Sequence, residues 1–144
     1  MANRLGGETP IIKYGSELTF ESMSTVSATA PINQGEIFKI DGTATDGTAY
    51  KLAECAAGDN PAEVTMVMAL HRCQDPNQLV GGKLLNGSEV QVRRLKYDGA
   101  APSLGNSIEA AAGNVRKVTG IAYAKGAGRV MAVNTATTEV EVLI

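Results

Sequence analysis

Tryptophan is absent from this 144-residue chain, and aromatic residues of any kind make up only 4% of it. Phe20, Phe38 and four tyrosines are all that could stack on a base or a sugar ring. That scarcity weighs against single-strand nucleic-acid binding and lectin-type recognition, where stacking carries much of the affinity. Imidazole and thiol are equally scarce: His71 is the only histidine, and Cys55 and Cys73 are the only cysteines. A structural zinc site wants four such ligands, usually in closely spaced pairs, and these residues form no CxxC pair. A Ser-His-Asp or Cys-His site would have to use His71. Its neighbours Arg72 and Asp75 follow no diagnostic spacing, and there is no G-x-S-x-G elbow. No catalytic residue, metal site or cofactor is therefore expected, and the chain reads as a structural or binding protein, not an enzyme.

Long apolar runs are also missing. Val64 to Leu70 is the most apolar stretch and is far too short to span a bilayer. Met1 to Thr9 holds no apolar core of a signal peptide. Two cysteines are too few for a secreted disulfide scaffold, so free thiols and synthesis in a reducing cytosol are expected. The net charge of −2 gives no global attraction to nucleic acid or membrane, and neither is expected as a partner. The charge is uneven, however. Residues 1–65 carry nine acids and four bases, while residues 90–129 carry seven bases and two acids. Such a split suits docking between subunits as well as it suits a mixed solvated surface.

What is present is glycine, 16 residues of it, and short runs of alternating hydrophobicity. Pro10, Pro31, Pro61, Pro76 and Pro102 leave no room for a long helix. Residues 1–8 are polar and read as a flexible arm, and residues 9–144 as one β domain. Glu36 to Asp41 and Tyr50 to Ala53 are expected to pair around a turn at Asp46-Gly47. Asn86-Gly87 predicts a second hairpin, joining Leu79–Leu85 to Ser88–Tyr97. In that last segment Val90 and Val92 share one face while Leu95 and Tyr97 share the other. Either a bulge at Arg93-Arg94 restores the alternation, or Leu95 and Tyr97 are exposed at an interface. Pro102 to Asn114 reads as a loop, followed by short strands at Val115–Val118, Ile121–Ala124 and Arg129–Val133. Thr138 to Ile144 reads as a half-buried antiparallel strand.

Val64 to His71 is the most informative strand. Val64, Met66, Met68 and Leu70 fall on one face and Thr65, Val67, Ala69 and His71 on the other, so both faces are largely apolar. A strand of this kind is buried on both sides. In a two-sheet sandwich the second face needs a cover, from a loop or from another subunit. The expected fold is all-β: an antiparallel β-sandwich, jelly-roll-like, with a short polar N-terminal arm.

The stretch from Ile32 to Asp41, INQGEIFKID, resembles an early strand of the capsid cement, or decoration, proteins of tailed bacteriophages. The ending resembles them too: Gly128 to Asn134, GRVMAVN, followed by Glu139 to Ile144, EVEVLI. The likeness extends loosely over the whole chain, which is Gly/Ala/Thr/Val-rich and poor in aromatics. It implies a structural protein on the exterior of a virion, made in the host cytoplasm, which clamps neighbouring major capsid subunits. It also implies a homo-oligomer, a dimer ahead of a trimer. On this reading Val67, Ala69 and His71 form the self-contact, and Arg4 and Leu5 of the arm touch the capsid together with Arg93, Arg94, Arg116 and Lys117. A tail- or adaptor-associated β module of a phage particle is the alternative.

Overall fold

The computed structural model describes residues 17–21, 31–43, 50–74, 79–87 and 90–144. They form ten strands and no helix: β1 (Glu17–Glu21), β2 (Ile37–Thr43), β3 (Tyr50–Ala53), β4 (Met66–Ala69), β5 (Leu79–Leu84), β6 (Val92–Lys96), β7 (Ser107–Ala110), β8 (Val118–Ile121), β9 (Arg129–Asn134) and β10 (Glu139–Leu143). The all-β, largely antiparallel, sandwich-like fold expected from the alternation is the one observed. Residues 1–16, with the arm, lie outside the described residues.

Five strands close into a small barrel in the order β1-β3-β2-β4-β5. All its pairings are antiparallel except β1 with β3, where Phe20 lies opposite Tyr50 in parallel. A three-stranded antiparallel sheet, β9-β10-β6, and a two-stranded ladder, β7-β8, make up the other half.

Two cores result. Phe38, Leu52, Val67, Ala69 and Val80 point into the barrel, where Ile32 and Cys73 join them. Ile37, Met66 and Met68 face outward from the barrel and meet Leu95, Tyr97, Ile108, Val118, Val130, Val140 and Val142 from the other sheets. Each large side chain so buried contributes about 1.5–3 kcal/mol. β4 is therefore buried on both faces, as its sequence demands. The cover, however, comes from the chain itself: Val67 and Ala69, 1% and 2% exposed, are sealed inside the barrel. They present nothing to a second subunit, and the self-contact predicted for them is corrected here.

Two further expectations give way. Asn86 does sit in a turn, with φ of +57°. But β5 and β6 do not pair across it: β5 pairs with β1 and β4 in the barrel, and β6 pairs with β10. Val80 belongs to one core and Leu95 to the other, and this long-range packing outweighs the local turn signal. The segment taken for a loop contains β7, and a single strand, β8, replaces the two short strands expected between Val115 and Ala124.

Candidate interaction surface

No bulge exists in β6. Val92, Arg93, Arg94, Leu95 and Lys96 lie opposite Leu143, Val142, Glu141, Val140 and Glu139 in unbroken register. The alternation runs through both arginines: Arg93, Leu95 and Tyr97 point inward and are buried, leaving Val90 and Val92 outside at 69% and 54% exposure. Neither alternative expected for this segment, a bulge or an exposed Leu95 and Tyr97, is the one observed.

The outer face of the sheet is built in cross-strand rows. Arg129, Leu143 and Val92 form one row, Ala132, Glu141 and Arg94 the next, and Asn134, Glu139 and Lys96 the third. In the charged rows Arg94 Nη2 lies 3.3 Å from Glu141 Oε2, and Lys96 Nζ lies 3.6 Å from Glu139 Oε2. The first row is apolar at its centre. The register of β9 shifts between Val130 and Ala132, which turns Met131 out into solvent as well.

A groove of about 410 Å³ opens at the end of this row, lined among others by Val90, Tyr123, Lys125, Arg129 and Leu143. Its geometry is held from beneath. Gly128, with φ of +83°, lies so close to the core that a Cβ would stand 2.6 Å from Val142 Cγ1. Ser107 is fully buried; its Oγ accepts the Ala124 N–H at 2.8 Å and lies 2.7 Å from the Gly128 carbonyl, to which it can donate. The loop between β8 and β9 is thereby pinned near its middle and at its end. Above it the Arg129 guanidinium lies 4.0 Å from the centroid of the exposed Tyr123 ring, a cation–π contact that holds both side chains on the surface.

The predicted capsid-contact residues separate. Arg93 is 3% exposed and donates from Nη1 to Gln91 Oε1 at 2.7 Å, so it is removed from the surface. Arg116 is committed inside the molecule. Its Nε lies 3.0 Å from both Glu54 oxygens, its Nη2 donates to Oε2 at 2.6 Å, and its Nη1 donates to the Pro31 carbonyl. Glu36 Oε1 lies 3.7 Å from Nη1, and the Phe38 ring centroid lies 5.0 Å from Cζ. Burial pulls the guanidinium pKa down, but the hydrogen bonds and charges of Glu54 and Glu36 outweigh it and hold the pKa above its usual value. Neither arginine is a free capsid ligand, which corrects both assignments. Arg94 is exposed and Lys117 half-exposed. Arg4 and Leu5 lie outside the described residues. His71 is exposed, with its Nε2 accepting the Gly81 N–H at 3.1 Å.

Cys55 and Cys73 are buried in different cores and are not joined in a disulfide. Burial, with the nearby Asp59 carboxylate, pushes the Cys55 thiol up to about 12. Among the described residues no group of three His, Cys, Asp or Glu could hold a metal ion, and no helix is long and apolar enough to cross a membrane. The sequence reading missed Tyr123, Lys125, Arg129 and Leu143; the one signal available was the slip at Arg93-Arg94, which, without a bulge, leaves one apolar pair of that segment facing outward.

No protein-family model, no curated protein and no solved structure matches this chain.

Proposed function

We propose that this chain is a structural virion protein that binds the outside of a phage capsid and stabilises it by bridging major capsid subunits. The observation that carries the reading is the outer face of the β9-β10-β6 sheet. Val90, Val92, Met131 and Leu143 stand in water there beside Tyr123 and Arg129. An apolar patch rimmed by charge is the usual composition of a protein docking surface. Val92, Arg129, Met131 and Leu143 sit on the sheet's strands, and Val90 and Tyr123 on the segments that flank them, with backing from the larger core. The likeness of residues 32–41 and of the C-terminal hairpin to capsid cement proteins supplies the partner, and Arg94 and Lys117 remain as surface cations for the capsid contact.

The test is co-sedimentation of the purified protein with capsids that lack it. Saturable binding that raises the capsid melting temperature is expected, weakened by Arg94→Glu together with Lys117→Glu and by deletion of residues 2–8. Failure to bind capsids, or binding to isolated tails instead, overturns the reading.

A further inference from the structure

Among the described residues, the side chains lining the groove at the end of the β9-β10-β6 sheet include two cations and no acid. Lys125 and Arg129 line it with Tyr123, Val90 and Leu143, and neither cation makes an ion pair with another described residue. A second groove of about 490 Å³ has the opposite character. Asp98 and Glu109 line it, with no cation among the described residues, between the small residues Ala57, Ala100, Ala112 and Gly113. Neither carboxylate makes an ion pair with a described residue.

The two surfaces lie at opposite ends of one ladder. Ser107 pairs with Ile121 at the end nearest Tyr123, and Glu109 pairs with Thr119 near the other, where both line the acidic groove. At about 3.3 Å per residue, the two residue steps between these pairs separate the patches by roughly 7 Å along the ladder, and the strand pairing fixes them there. One molecule therefore cannot close its own two patches together, but two molecules can.

We propose that the apolar, basic-rimmed groove binds the acidic groove of a second copy of this chain. The Tyr123 ring and the Val90 side chain enter the space left by alanines and glycines, and Lys125 and Arg129 meet Asp98 and Glu109. Such a contact is heterologous, so it builds a ring or an open chain and not a two-fold dimer. It rests only on reading this sheet face as a docking surface and stands apart from the identity of any capsid partner.

The experiment is analytical ultracentrifugation of the whole chain from 1 to 100 µM, at low and at high salt, without capsids. The wild type is expected to associate, at least tenfold more weakly in 1 M salt. Lys125→Glu with Arg129→Glu makes both grooves acidic, and Asp98→Lys with Glu109→Lys makes both basic. Each variant alone is expected to remain monomeric. An equimolar mixture should associate again, because every contact is then of opposite sign. Lys125→Gln with Arg129→Gln, and Asp98→Asn with Glu109→Gln, test the same loss should a reversal impair folding, as read by thermal unfolding. A wild type monomeric at 100 µM, variants that associate as the wild type does, or a mixture that stays monomeric overturns the proposal. Self-association here together with failure to bind capsids in the co-sedimentation test overturns the capsid reading alone.

Discussion

Arg116 and Glu54 are 62 residues apart in sequence and form a fork-on-fork pair, with Nη2 2.6 Å from Oε2. Glu54 follows β3 of the barrel and Arg116 precedes β8, so the pair clamps the two halves of the fold together. The Arg116 carbonyl extends the clamp by accepting the Ile37 N–H at 2.9 Å. Both side chains are 16% exposed, which places the pair in a poorly screened setting. Removing one partner strands the other charge. Arg116→Met is expected to cost about 2–4 kcal/mol in urea unfolding, and Arg116→Met with Glu54→Gln distinctly less than the sum of the two single changes. Additive losses would show that the two residues are not coupled.

At Gly128 the backbone decides which residue fits. Its φ of +83° disfavours any L side chain, and an added Cβ would meet Val142 Cγ1 at 2.6 Å and Ile144 Cδ1 at 3.2 Å. Those neighbours belong to the packed inner face of β10 and its end. Gly128→Ala is expected to lower stability by about 2–3 kcal/mol, the sum of left-handed strain and overpacking. Gly99, with φ of +75° but nothing within 4 Å of an added Cβ, isolates the first term. Gly99→Ala should cost about 1 kcal/mol. Equal losses at the two sites by thermal unfolding would remove the packing component.

Cys55 gives a prediction in pH. Its thiol ionises near 9.0 when freed from the fold and at about 12 within it, because burial and Asp59 disfavour the thiolate. The folded pKa is raised, so this contribution to stability is complete below pH 9 and is lost as pH rises toward 12. The slope is at most about 1.4 kcal/mol per pH unit. Lysines and tyrosines titrate in the same range, so the measurement is a difference. Between pH 9 and 11 the wild type should lose stability more steeply than Cys55→Ala. Parallel stability–pH curves would show that the thiol is not held neutral.

How much of this was readable in advance can be seen strand by strand. Period-2 alternation identified β10 and the doubly apolar β4, because each carries its burial pattern in its own residues. It could not say what covers β4: Val67 and Ala69 read the same whether a barrel or a partner lies over them. At Arg93-Arg94 the ordinary rule that arginine stays in water favoured a bulge, whereas the fold keeps the register and takes Arg93 inside. The Asn86-Gly87 turn was legible but its pairing was not, since strand partners are chosen by cores that gather distant residues. β7 was hidden between Pro102, Gly105 and a run of alanines. The groove joins Val90, Tyr123, Arg129 and Leu143 from four separate segments, and no local spacing connects them.

The register of β6 yields the sharpest contrast between core and surface. Val92 and Leu95 are both apolar residues of one five-residue strand, yet Leu95 is fully buried and Val92 stands 54% exposed opposite Leu143. Leu95→Ala removes packing against the larger core and is expected to cost about 2–5 kcal/mol, read as a lower urea midpoint. Val92→Asp leaves the core untouched and should change stability by no more than about 0.5 kcal/mol. Its effect should appear instead in association, because it places a charge in the apolar centre of the outer face. Capsid binding or self-association weakened at least tenfold, with an unchanged unfolding midpoint, is the expected pairing of results. A Val92→Asp protein that unfolds as easily as Leu95→Ala would mean that the strand faces the other way.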